Sequence, residues 1–210
     1  YLGRPEDGLD KQVMCTKFPS DFTPTFEAKV QQRVKDMIKA LGIKFGPVFL
    51  QGFVDGETIR YYDPALRMPG GDYDLVLKAA TGFDTVKSLI HFALTGDTKT
   101  WFGDPTDCYK LNGGVGMIIC FSVREGHMAK VEGLEDLLAM PNIVYGRQII
   151  PEGEDIPASG DIRQRVAAVG AYVPTKKEAE EFVKKMYDTY HVYDEKGEDM
   201  IVSKYEYKAN

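Results

Sequence analysis

Cysteine is scarce in this 210-residue chain. Only Cys15, Cys108 and Cys120 are present, widely spaced, with no CxxC pair and no Cys/His cluster at zinc spacing. That excludes a disulfide framework and a structural zinc site, and suits free thiols in a reducing compartment, so a cytoplasmic location is expected. The three histidines, His91, His127 and His191, share no motif. Basic excess is also missing: the net charge is −6 and the pI about 5.2, which argues against a nucleic-acid phosphate backbone as partner. No apolar run approaches the roughly 20 residues of a membrane span, so no membrane partner is expected. The opening residues lack the basic and apolar regions of a signal peptide. An initiating Met is absent as well, which suggests a chain processed or cut from something longer.

What remains is ordinary globular composition, 43% hydrophobic and 28% charged. Helical periodicity is strongest from Thr25 to Leu41, where Phe26, Val30, Val34, Met37, Ile38 and Leu41 share a face and Gly42 stands at a left-handed cap. Asp72 to Ala80 and Asp84 to Leu94 read as two shorter helices, the second capped by Asp84. Past a polar stretch ending in Gly113-Gly114 the texture changes to short strands. Val115 to Ser122, Ile143 to Ile150 and Arg163 to Val173 are apolar runs, and Thr175-x-x-Glu178 is a capping box opening a helix to about Tyr190. His191 to Tyr193 and Ile201 to Tyr205 read as a closing strand pair.

The chemistry gathers between Gly46 and Gly71. Pro47 to Val54 and Thr58 to Asp63 are two strands joined at Asp55-Gly56, a strong hairpin signal. They run into Asp63, then Arg67, then Gly70-Gly71. Asp63 offers a carboxylate and Gln51 a carbonyl oxygen, hard donors of the kind magnesium takes alongside phosphates. Arg67 carries a planar fork suited to phosphate or carboxylate. The glycine pair permits close approach of backbone amides to an anion. On spacing alone the same residues also fit an Asp-Arg ion pair on a loop closed by a glycine turn. A strict two-residue turn would set Gln51 and Asp63 on opposite faces, because strand side chains alternate. One extra residue at Gly56, in a glycine bulge, would set them on the same face.

The order helix, Gln51, Asp-Gly hairpin, Asp63-x-x-x-Arg67, Gly70-Gly71 and the Gly82-Phe83-Asp84 helix start resembles the C-terminal part of an ATP-grasp ligase. It is similar to carbamoyl phosphate synthetase, biotin carboxylase and the amino-acid ligases. The family signature of Glu, then Asn, then Arg at two-residue steps stands here as Asp63, Ala65 and Arg67. The run Gly126-His127, Val131, Gly133-Leu134-Glu135, Arg165, Val169 and Thr175-x-x-Glu178 resembles the small domain that follows in biotin carboxylase relatives.

The resemblance implies an α+β fold. Residues 1–110 would be the C-terminal lobe of the ATP-grasp domain, an antiparallel sheet with flanking helices, and 111–210 a small α+β domain. It implies ATP and Mg2+ as cofactors, with Gln51 and Asp63 as metal ligands, Phe53 packing on the adenine, Gly70 and Gly71 at the nucleotide, and Arg67 as the catalytic cation. Carboxylate and amine substrates follow, with acyl-phosphate formation, and a homodimer is an expected assembly. Most of the ATP-gripping lobe would precede Thr25, so this piece alone is expected to be inactive. Lys11 and Lys17 read either as exposed lysines or as remnants near the nucleotide. A degenerate, non-catalytic regulatory or structural domain is the alternative, and Ala65, which offers no side-chain ligand, favours it.

Overall fold

A computed structural model describes residues 1–56 and 58–207. In chain order the elements are β1 (Cys15–Phe18), α1 (Thr23–Lys29), α2 (Gln31–Ala40), β2 (Phe49–Asp55), β3 (Thr58–Ala65), α3 (Tyr73–Thr81) and α4 (Thr85–Thr95). There follow β4 (Val115–Val123), β5 (Gly126–His127), β6 (Lys130–Glu132), α5 (Leu134–Leu138), β7 (Ile143–Gln148), β8 (Asp155–Ile156), β9 (Arg165–Val173), α6 (Lys176–Thr189), β10 (His191–Tyr193) and β11 (Ile201–Val202). The fold is mixed α+β.

An antiparallel sheet in the order β1-β4-β9-β7, with β11 also on β4, organises the chain. Every residue of β4 is buried. Its side chains alternate, as strand geometry requires. Val115, Met117, Ile119, Phe121 and Val123 enter the main core with Phe182, Met186 and Tyr190 of α6 or the residue after it. Phe121 meets Tyr187 and Tyr190 edge-on, at ring separations of 5.2 and 4.8 Å. Ile118 and Cys120 point the other way, toward the side where α3, packed against β4, β7 and β9, buries Val76 and Ala80.

Local signals place the helices. Asp84 caps α4 by accepting from the Lys87 amide at 2.9 Å, and Thr175 caps α6 by accepting from the Glu178 amide at 3.3 Å. The single helix expected over Thr25 to Leu41 is kinked at Val30, whose φ of −123° leaves the helical range, giving α1 and α2. Hydrogen bonds into and out of Val30 still bridge the kink.

Two pairings are long-range and differ from the local expectation. His191–Tyr193 and Ile201–Val202 do not form one ladder: β10 pairs with β6, and β11 with β4. The N-terminal strand β1 pairs with β4 across about a hundred residues, Cys15 lying opposite Ile119. Residues on both sides of the 110/111 division therefore share one sheet, with Leu9, Met14 and Cys15 fully buried.

Candidate active-site face

The β2–β3 hairpin forms its own two-stranded sheet. Asp55 lies opposite Thr58, and Gly52 opposite Tyr61; the register then steps by one residue, so Gln51 lies opposite Asp63. Directly opposed residues share a face, with Cβ atoms roughly 4.5–5.5 Å apart. The bulge expected at Gly56 is not there: the register runs unbroken from Asp55 to Gly52, and the irregularity falls instead between Gln51 and Gly52, with Tyr62 as the extra residue on β3. Gly52 allows it. A Cβ there would stand 2.7 Å from the Arg60 carbonyl oxygen, so the strands can come together only at a glycine.

Alternation puts Phe49, Gln51, Phe53 and Asp55 on one face of β2. The contacts agree. Asp55 holds Arg60 at 3.3 Å, Phe53 stacks on Tyr62 with ring centres 4.8 Å apart, and the Arg67 guanidinium lies 5.3 Å from the Phe49 ring centre. Gln51, Phe53, Asp63 and Arg67 thus belong to one face. Phe53 is 68% exposed, a cost to an isolated hairpin that an apolar ligand could relieve.

Arg67 does not pair with Asp63. Its Nη1 donates to the Met68 carbonyl at 2.9 Å, and the residue is exposed. The simple Asp-Arg ion pair is absent among the described residues. Neither Gln51 nor Asp63 has a side-chain partner among them either, and Asp63 is half-buried.

The donor set fits a hard divalent cation that keeps waters or phosphate oxygens, with one carboxylate and one side-chain amide on directly opposed residues. It does not make a full protein cage: no cluster of three or more His, Cys, Asp or Glu exists among the described residues. Ala65, opposite Phe49, adds only a methyl.

Gly70 and Gly71 stand at the junction of hairpin and α3. A Cβ on Gly70 would meet nothing, so its backbone is open to approach. Gly71 has φ +101° and its carbonyl accepts from the Tyr145 hydroxyl at 3.2 Å, tying the junction to β7. Burial pushes the Tyr145 hydroxyl up, so it stays protonated and donates. Tyr145, Tyr62 and Phe49 were not legible as site residues. Gly52 inside an apolar strand was the one available signal for the bulge.

No protein-family model matches the sequence, and no curated protein matches it. Solved structures do match. An L-amino acid ligase from Bacillus licheniformis superposes with a TM-score of 0.70 at 17% identity, over 88% of this chain and 44% of its own. This is the fold of the ATP-grasp ligases. A phosphoribosylglycinamide synthetase from Anaerococcus prevotii matches at 0.66 and 12% identity, over 87% of this chain and 45% of its own. The biotin carboxylase domain of the Hydrogenobacter thermophilus 2-oxoglutarate carboxylase, a dimer in complex with MgADP and bicarbonate, matches at 0.62 and 14% identity, over 91% and 40%. The chain thus spans less than half the length of these ATP-grasp structures. No described helix is long and apolar enough to cross a membrane.

Proposed function

We propose that this chain is the C-terminal portion of an ATP-dependent carboxylate–amine ligase, carbamoyl-phosphate-synthetase-like in its metal pair, which as a whole binds Mg-ATP and forms an acyl phosphate, this portion alone being inactive. The observation that carries the reading is the register step that brings Gln51 opposite Asp63 on an exposed face shared with Arg67. Gln51 and Asp63 are the ligands assigned to Mg2+. When bound, the ion supplies neutralisation of phosphate charge. Arg67 orients an acyl phosphate or substrate carboxylate through its fork, a charge-assisted contact stronger than a neutral hydrogen bond. Phe53, propped on Tyr62, offers a ring for the adenine, and the Gly70-Gly71 backbone offers amides.

The MgADP and bicarbonate of the biotin carboxylase relative support the nucleotide and metal assignment. Residues 1–110 are assigned to the ATP-grasp lobe and 111–210 to the small following domain, as units of descent, since β1 joins the sheet of the second. A cytoplasmic homodimer acting on small carboxylates and amines completes the reading.

A second reading is a non-catalytic ATP-grasp-like domain. Ala65 favours it, because the third ligand position of the family signature carries no donor. Titration of this chain with Mg-ATP in a calorimeter separates the two. Saturable heat that disappears in Asp63→Ala supports the ligase reading. Binding that is unchanged in Asp63→Ala removes the metal assignment, and no binding by the chain or by its full-length polypeptide supports the non-catalytic domain.

A further inference from the structure

The hairpin enters α3 through Gly70, Gly71 and Asp72. Gly71 has φ +101° and Asp72 φ +56°, two consecutive left-handed residues. The second is not a glycine, so its conformation costs energy and must be held by its surroundings. The amides of Gly70, Gly71 and Asp72 have no hydrogen-bond acceptor among the described residues, and the Asp72 side chain does not cap the helix. Such a run of amides meets an anion well only when its direction is fixed, because a preorganised donor needs no reorientation.

Two tyrosines tie this junction to the two edge strands of the central sheet. The Tyr73 hydroxyl donates to Thr16 Oγ1 on β1 at 3.3 Å, and its ring lies 5.8 Å from that of Phe18. From the other edge, β7, the Tyr145 hydroxyl donates to the Gly71 carbonyl at 3.2 Å. The sheet is shaped around Tyr145. The register of β7 steps between Ile143 and Tyr145, which puts Tyr145 opposite Gly170. A Cβ on Gly170 would overlap the Tyr145 ring. Gly170 is not one of the left-handed glycines, so room for that ring is what its missing side chain supplies. Peptide groups are planar and trans, with N–H opposite C=O. Holding the Gly71 carbonyl toward β7 therefore turns the Asp72 amide away from β7.

We propose that Tyr145 is a positioning residue for the hairpin site. Acting through the Gly71 carbonyl, its hydroxyl keeps the Asp72 amide, and the Gly70-Gly71 backbone before it, in one orientation toward a bound phosphate. The phosphate rests on the ligase reading; the fixing of the peptide by the hydroxyl does not.

Tyr145→Phe keeps the ring and removes only the hydroxyl. In the ligand-free full chain it should shift the NMR signals of the Gly71 carbonyl carbon and the Asp72 amide nitrogen. The amide order parameters of Gly71 and Asp72 should fall, with those of Val115 to Val123 unmoved. Mg-ATP, titrated into both proteins where both are fully folded, should bind the variant at least fivefold more weakly. Gly170→Ala, which pushes the ring off its seat, should give the same signature at the junction. Unmoved Gly71 and Asp72 signals in Tyr145→Phe would overturn the proposal. So would moved signals with unchanged Mg-ATP affinity, the pattern of a tie that serves stability alone. If the parent chain binds no Mg-ATP, the phosphate assignment fails with the ligase reading, and the ligand-free signals still decide whether Tyr145 fixes the junction.

Discussion

The central sheet and the β2–β3 hairpin are both antiparallel β-structure, yet they are built to opposite ends. In β4 all nine residues are buried, and alternate side chains enter the main core with residues of α6. In β2 five of seven residues are exposed, and the hairpin's ring and charge contacts are with its own residues or with Arg67 just beyond it. Stability resides in the first, because burial of apolar area dominates folding free energy. Free donor groups reside in the second, because a residue that is not needed for packing can hold its polar atoms ready for a ligand. The two should be separable by mutation.

The largest effect is expected in the sheet. Phe121→Ala removes the ring between Tyr187 and Tyr190 and should cost about 3–5 kcal/mol, read as a lower midpoint in denaturant at constant slope. Under the proposed ligase reading, Asp63→Ala should leave that midpoint unchanged while lowering any ligase turnover by orders of magnitude. Arg67→Lys should likewise spare stability and impair turnover, since a point charge does not replace a fork. Full activity in either variant would mean that its side chain meets only solvent and its own hairpin.

Gly52→Ala sharpens the contrast further. The added methyl would press on the Arg60 carbonyl, so the strand pairing must shift at the point that now sets Gln51 against Asp63. Metal binding should fall, with the central sheet's hydrogen-exchange protection retained. A smaller effect belongs to α6: Thr175→Ala removes a cap and should cost about 1 kcal/mol.

Acid should weaken carboxylates that the fold holds ionised, in both halves of the chain, Asp84 beside Lys78 among them. The Arg124 guanidinium, 2.6 Å from Asp194, holds that carboxyl down to about 2, and Arg163 holds Asp161 below the usual carboxylate range. A depressed folded value contributes stability above the ordinary 3.8 and loses it as pH falls toward 2. Melting temperature should therefore drop across that window, and Arg124→Gln should flatten the drop.

How much of this was legible in sequence follows from range. Asp84 and Thr175 announce their helices because a cap bonds only three residues on. The hairpin was legible from Asp55-Gly56, whereas the sequence leaves open, between two turn geometries, whether Gln51 and Asp63 share a face. The place of the bulge was not legible, because it is set by how Gly52 meets the carbonyl across the ladder rather than by the turn. The partner of β1 was invisible for the same reason at greater distance: nothing near Cys15 in the chain names Ile119. Lys17, which reads most simply as an exposed lysine, has its side chain largely covered where it meets Asp21 and Tyr207.

The central claim is that the hairpin carries a metal-binding face independent of the core, and Mn2+ broadening of amide NMR signals tests it most directly. Substoichiometric Mn2+ should broaden the signals of Phe49 to Asp55 and Thr58 to Arg67 first, and Asp63→Ala should abolish that broadening while leaving the sheet signals in place. Broadening scattered over the acidic surface, or persisting on the hairpin in Asp63→Ala, would contradict the account.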